Sequence, residues 1–121
     1  MTPRVLRPEE GRRLELNGRV ATELIGAADP DAEVTVRLVE VAPEGVTPRP
    51  LHVHEGVAEV VYVRRGQATL HHEGGTQLVE AGDCVHIPAG QRHKIAPRGD
   101  EPLELLCVFG TRDLAARTRE G

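Results

Sequence analysis

The amino-acid sequence predicts an all-β fold, a sandwich or barrel built from short strands. Three observations carry this expectation. Apolar and polar residues alternate with period two from Arg13 to the region of Phe109, helical periodicity is nearly absent, and Gly, Pro or Asp punctuates the pattern every several residues. The strands are expected at residues 13–17, 19–25, 33–41, 51–54, 58–64, 67–72, 76–79, 84–87, 92–96 and 103–109. Short strands in such number, joined by tight turns, close into a sandwich or barrel.

Turn chemistry sets the cuts between them. Ala28-Asp29-Pro30-Asp31 divides the second strand from the third, and Glu44-Gly45 lies before the fourth. Glu73-Gly74-Gly75, Ala81-Gly82-Asp83, Pro88-Ala89-Gly90 and Pro97-Arg98-Gly99-Asp100 close the later ones, each supplying residues that tolerate a reversed backbone. The stretch 111–121 reads either as one or two helical turns with Leu114 and Ala115 facing inward or as a frayed polar tail, and no function attaches to it.

Composition narrows the function classes. The chain has 121 residues, 39% hydrophobic and 28% charged, which suits a single domain: 1–32 as N-terminal strands, 33–110 as the barrel, 111–121 as a C-terminal tail. Aromatics make up 2%, namely Tyr62 and Phe109 with no tryptophan, so the core must be made of Val, Leu, Ile and Ala, which favour strands. No apolar run reaches the length of about 18 residues that spans a bilayer, and Met1 to Val5 lacks the features of a signal peptide. A cytoplasmic protein without a membrane partner is expected. Fifteen Lys+Arg against 19 Asp+Glu give a net charge of -4, with the arginines dispersed, so neither a basic face nor aromatic platforms exist for nucleic acid. Serine is absent and Lys94 is the sole lysine, which leaves catalysis to histidine, carboxylate, cysteine or a metal. Cys84 and Cys107 lie in alternating apolar runs and read as small buried hydrophobes in a reducing compartment.

The segment Pro50-Leu51-His52-Val53-His54-Glu55-Gly56-Val57-Ala58-Glu59 carries the chemistry. On a strand, His52 and His54 point to one face with Cα atoms about 6.5 to 7 Å apart, so both imidazoles converge on a single ion. Glu59 would lie about 16 to 17 Å further along a straight strand and on the wrong face. The chain is therefore expected to reverse at Gly56 and lay Glu59 beside the histidines on the neighbouring strand. With Glu59 inward, Val61 and Val63 share its face, and Val60, Tyr62 and Arg64 take the opposite one. A second segment, Gly82 to His93, runs through a strand and a Pro-Ala-Gly turn to bring His93 as a fourth ligand. Three histidines and a carboxylate suit one divalent Fe, Mn, Ni, Cu or Zn ion, and a six-coordinate ion would keep two positions open for water, substrate or dioxygen.

These two segments resemble the motifs of the cupin superfamily, in its small single-domain, conserved-barrel form. The first cupin motif, G-x5-H-x-H-x3,4-E-x6-G, is matched by His52, His54, Glu59 and Gly66, and the second, G-x5-P-x-G-x2-H-x3-N, by Gly82, Pro88, Gly90 and His93. Two positions depart from the pattern: Gly45 stands one residue too far from His52, and Pro97 replaces the asparagine. The resemblance implies a double-stranded β-helix barrel with a divalent metal held by His52, His54, Glu59 and His93 at one open end. It also implies frequent homodimers, often with exchanged N-terminal strands.

The remaining polar residues are weighed against plainer roles. Glu55 reads as a turn residue that sits close enough to act behind the ligands or to replace Glu59. His71 and His72 face opposite sides of their strand, so one alone could look inward. His86 is expected outside the site, at a subunit contact. Cys107 reads as core, and Tyr62 as facing outward. Arg92 and Lys94 should face away from His93, with Arg92 at a strand mouth able to meet an anionic substrate. The function expected is a metal-dependent enzyme on a small polar metabolite, foremost an oxidoreductase of dioxygenase type using iron or manganese, with isomerase or decarboxylase chemistry as further options. The competing expectation is a non-catalytic small-molecule or metal-binding sensor module.

Overall fold

The computed structural model describes residues 3–43 and 51–120, and in it the chain forms two antiparallel sheets. The six-stranded sheet runs, in spatial order, β1 (Arg12–Leu16), β2 (Arg19–Ile25), β3 (Thr35–Val41), β10 (Leu103–Phe109), β5 (Glu59–Arg65) and β8 (Cys84–Ile87). The five-stranded sheet runs β11 (Thr118–Glu120), β4 (His52–His54), β9 (His93–Arg98), β6 (Gln67–His72) and β7 (Gly75–Glu80). Short 3-10 turns occupy Pro8–Glu10 and Ala115–Arg117. The all-β expectation holds, and most predicted strands match within one or two residues. The Glu44-Gly45 turn lies outside the described residues.

Period-two alternation explains the core. Along β10, Leu103, Leu105, Cys107 and Phe109 are buried and the residues between them half-buried. Along β5, Glu59, Val61 and Val63 point inward while Val60, Tyr62 and Arg64 face out, as the sequence predicts. Ala68, Leu70 and Ile95 from the five-stranded sheet join the same cluster, so one core fills the space between the sheets. Each aliphatic side chain so buried contributes about 1.5–3 kcal/mol. Gly66 ends β5 at φ 91°, where a Cβ would stand 2.5 Å from the Pro102 carbonyl oxygen; only glycine allows that close approach.

Four expectations are corrected. The chain does turn at Gly56 (φ 69°), but β4 and β5 do not pair: β4 lies between β11 and β9, β5 between β10 and β8. The turn carries the chain from one sheet to the other, anchored by buried Val57, so Glu59 meets the histidines across the barrel rather than from a neighbouring strand. The tail is neither frayed nor simply helical, because residues 118–120 pair with β4 as an edge strand, with Thr118 opposite His54. Leu114 is buried as expected, whereas Ala115 is exposed. Cys84 is exposed, since it shares the outer face of β8 with His86; Cys107 is buried, and both are free thiols. Pro97 sits within β9 opposite Ala68, and its missing N–H costs little, because β4 pairs with β9 at His93 alone and leaves that edge open.

Candidate metal centre

The barrel topology gathers side chains from three strands. The register places His52 directly opposite His93 across β4 and β9, so the two rings share a face, and His54 joins them two residues along β4. Glu59 comes from the far sheet, opposite Phe109 on β10 and Ile87 on β8. The imidazole centroids lie 4.3, 5.0 and 5.4 Å apart. One donor atom from each of His52, His54, Glu59 and His93 falls within 4.8 Å of the others, a group that could hold a metal ion. Donors about 2.1 Å from a common ion stand about 3 to 4 Å from one another, so the spacing fits.

Hydrogen bonds on the outer ring nitrogens decide what the inner ones offer. His93 Nδ1 is 2.8 Å from the Gln91 carbonyl oxygen, which can only accept, so Nδ1 carries the proton. Thr118 Oγ1 donates to the Leu114 carbonyl at 2.9 Å and therefore accepts from His54 Nδ1, also at 2.9 Å. Both rings thus turn Nε2 inward, toward the same Glu59 oxygen, at 3.1 Å from His93 and 3.2 Å from His54, and in the neutral rings that nitrogen is a lone pair. Acceptor facing acceptor at that distance is repulsive unless a proton or a cation stands between them. His54 Nε2 is buried without a hydrogen-bond partner despite the nearby carboxylate, the arrangement a cation would satisfy.

The electrostatics run the same way. Burial first, and then the adjoining His93 imidazole, pulls the His52 pKa down to about 3, so its lone pair stays available through the neutral range. Burial alone would raise the Glu59 carboxyl, but His54 and His93 outweigh it and bring the value to about 2, which keeps the carboxylate ionised. Burial first, and then the Glu59 carboxylate it hydrogen-bonds, push the Cys107 thiol well up. Cys107 is a core residue as read from the sequence, and it is also a protonated donor to Glu59.

Other candidates fall elsewhere. Glu55 is exposed and pairs with Arg119 at the surface, away from the cavity lining, because the turn at Gly56 points its side chain outward. His72 shares the His93 face in register, but its Nδ1 accepts the Gly74 N–H at 3.0 Å and closes the β6–β7 turn; His71 takes the other face. His86 is exposed on the outer face. Arg92 does not line the cavity, whereas Lys94 is among its lining residues. Two functional neighbours escape the sequence reading. Thr118 gives no local signal; Arg37 gives one, being a cation on the same strand face as Val39 and Val41.

This fold and donor set define a cupin: the family model described as Cupin domain matches residues 37–109, more than half of the chain, and the chain belongs to that family. Among curated relatives, an oxalate-binding protein of Thermotoga maritima is 36% identical over 59 residues, 49% of each chain. The matched part spans about half the length of the curated relatives. Among solved structures, the Streptomyces nucleoside dehydratase Pac13, bound to uridine, superposes with a TM-score of 0.79 at 20% identity, covering 100% of this chain and 92% of that one. A cupin-superfamily sugar phosphate isomerase from Silicibacter pomeroyi gives 0.70 at 26% identity, covering 88% and 75%. No helix among the described residues is long and apolar enough to cross a membrane.

Proposed function

We propose that this cupin holds one divalent ion through His52, His54, Glu59 and His93 and is a metal-dependent enzyme acting on a small polar metabolite. The observation that carries the reading is the buried, partnerless His54 Nε2 facing Glu59, with the Nδ1 proton fixed on the outer side of the ring by Thr118. A nitrogen and oxygen donor set suits Fe, Mn, Ni, Cu or Zn; bound there, the ion would supply Lewis acidity and a template for substrate oxygens. The chain's own contribution is a shaped space: Phe109 packs edge-on against the His54 ring at a centroid distance of 5.0 Å, and Val39, Leu105 and Ile95 line the adjoining cavity. Within that class we favour an oxidoreductase of dioxygenase type, using iron or manganese, ahead of isomerase or decarboxylase chemistry, because open positions on such an ion suit dioxygen.

Elemental analysis tests the metal: about one ion per chain is expected in the protein as purified, and loss of it in His52→Ala and His93→Ala. Stoichiometric metal surviving both substitutions would refute the site. An oxygen electrode with diketones, catechols and hydroxy acids tests the reaction class. The competing reading, a non-catalytic binding module, is supported by the Thermotoga maritima relative, which is a binding protein by name. Absence of turnover across the panel together with tight ligand retention would favour it. Two free cysteines accord with a cytoplasmic setting. A second copy of the chain is the partner we propose, seated on the outer face of the six-stranded sheet, where Val36, Leu38, Leu106, Val108, Val60 and Tyr62 form two adjacent apolar rows.

A further inference from the structure

We propose that the cavity beside the four donors is built for a small carboxylate-bearing molecule, with Arg37 and Arg19 reading its charge. The proposal deepens the metal-enzyme reading and rests on it for the ligand's second anchor.

The charge distribution points this way. Among the described residues, the cavity is lined by Arg19, Arg37 and Lys94 against a single acid, Glu59, in a chain whose net charge is -4. The local sign is therefore reversed relative to the whole molecule, and low-dielectric walls strengthen the field inside. The arrangement on β2 and β3 is built rather than incidental. Arg37, with a side chain 14% exposed, donates from Nε to Glu23 Oε1 at 3.0 Å and places a second guanidinium nitrogen 2.9 Å from the same oxygen. Glu23 is itself buried, and its other oxygen accepts from Arg12 at 2.8 Å. Two guanidinium groups thus share one carboxylate, which fixes Arg37 in place and leaves the cluster with one positive charge in excess.

Arg19 lies on the same inner face of β2 as Ala21 and Glu23, four residues from Glu23. Arg37 stands opposite Cys107 in register, one inward position along β10 from Phe109, which pairs with Glu59. A planar guanidinium held in advance matches a carboxylate in two-point geometry better than a lone ammonium does. Val39, Val41 and Leu105 line the same cavity, an apolar wall that fits a short carbon chain and gives nothing to a fully hydrated inorganic anion. The cavity volume of about 90 Å³ corresponds to about six to nine water-sized positions. A small organic acid fits that space.

Calorimetric titration of the protein, metal-loaded and metal-stripped, with succinate, succinamide and inorganic phosphate tests this. Succinate is expected to bind about tenfold or more tightly than succinamide, and phosphate more weakly than succinate. Arg19→Gln, and separately Arg37→Gln, which removes the excess positive charge while Glu23 stays paired with Arg12, should each cut the succinate preference about fivefold or more. Binding of acid and amide alike, phosphate matching succinate, or variants that keep the full preference would each overturn the proposal. Metal content measured on every sample separates the two readings. Metal-loaded protein that ignores charge sinks the carboxylate pocket alone, whereas protein that takes up no metal yet prefers succinate sinks the metal centre alone.

Discussion

The two walls of the barrel interior handle charge in opposite ways. The five-stranded wall presents three imidazoles, His52 held neutral by burial and His54 and His93 each with the outer nitrogen tied to a protein acceptor. The six-stranded wall presents formal charge: Glu59 toward the histidines, and Arg37 with its counter-ion Glu23 further round the sheet. The difference teaches how one small core meets two demands. Nitrogen donors must lose water without gaining a proton, which burial achieves, while charged groups survive burial when a fixed opposite charge lies beside them.

The largest expected effect comes from breaking the nitrogen wall. His93→Ala should reduce metal from about one per chain to trace, a loss beyond the 10–100-fold typical of removing a supporting contact, read by elemental analysis. Next comes the support behind His54. Thr118→Val removes the hydroxyl that holds the Nδ1 proton and should weaken metal affinity about 10–100-fold in a competition titration, whereas Thr118→Ser should stay near wild type.

Acid sharpens the contrast in the metal-free protein. The His52 value in the folded chain, about 3, lies below its ordinary 6.5, so the unfolded chain binds the extra proton and stability falls as pH drops from 6.5 toward 3. Glu59, lowered from 4.5 to about 2, adds a loss as pH drops from 4.5 toward 2. Thermal melts of metal-free protein should therefore decline from neutral pH downward, and His52→Gln should flatten the portion between 6.5 and 4.5, above the range in which Glu59 acts. The smallest effect on the site is expected from the outer face of the charged wall. Tyr62 is 44% exposed there, and Tyr62→Lys should halve the mass measured by light scattering while leaving metal content unchanged.

Much of this was legible in the sequence because strands have an unambiguous period. The alternation in Glu59-Val60-Val61-Tyr62-Val63 fixes which side chains face inward, and the His52-x-His54 spacing fixes a shared face. What escaped depends on contacts between distant residues. The pairing of 118–120 with β4 joins segments 64 residues apart through a strand too short and polar to announce itself, so Thr118 was invisible behind His54. The placement of β4 and β5 on different sheets was hidden for a related reason: a tight turn at Gly56 serves a hairpin or a crossing between sheets equally well. Arg37 was readable in principle, since a cation in register with Val39 and Val41 breaks an apolar stripe, but its counter-ion Glu23 lies on another strand.

The central claim is that the two walls converge on one cation. Anomalous diffraction at the absorption edge of the loaded metal tests it most directly. The account predicts a single peak about 2 Å from a nitrogen of each of His52, His54 and His93 and from a carboxylate oxygen of Glu59. Metal-soaked crystals with no peak among these side chains, or with the peak at the surface near His71 or His86, would contradict it.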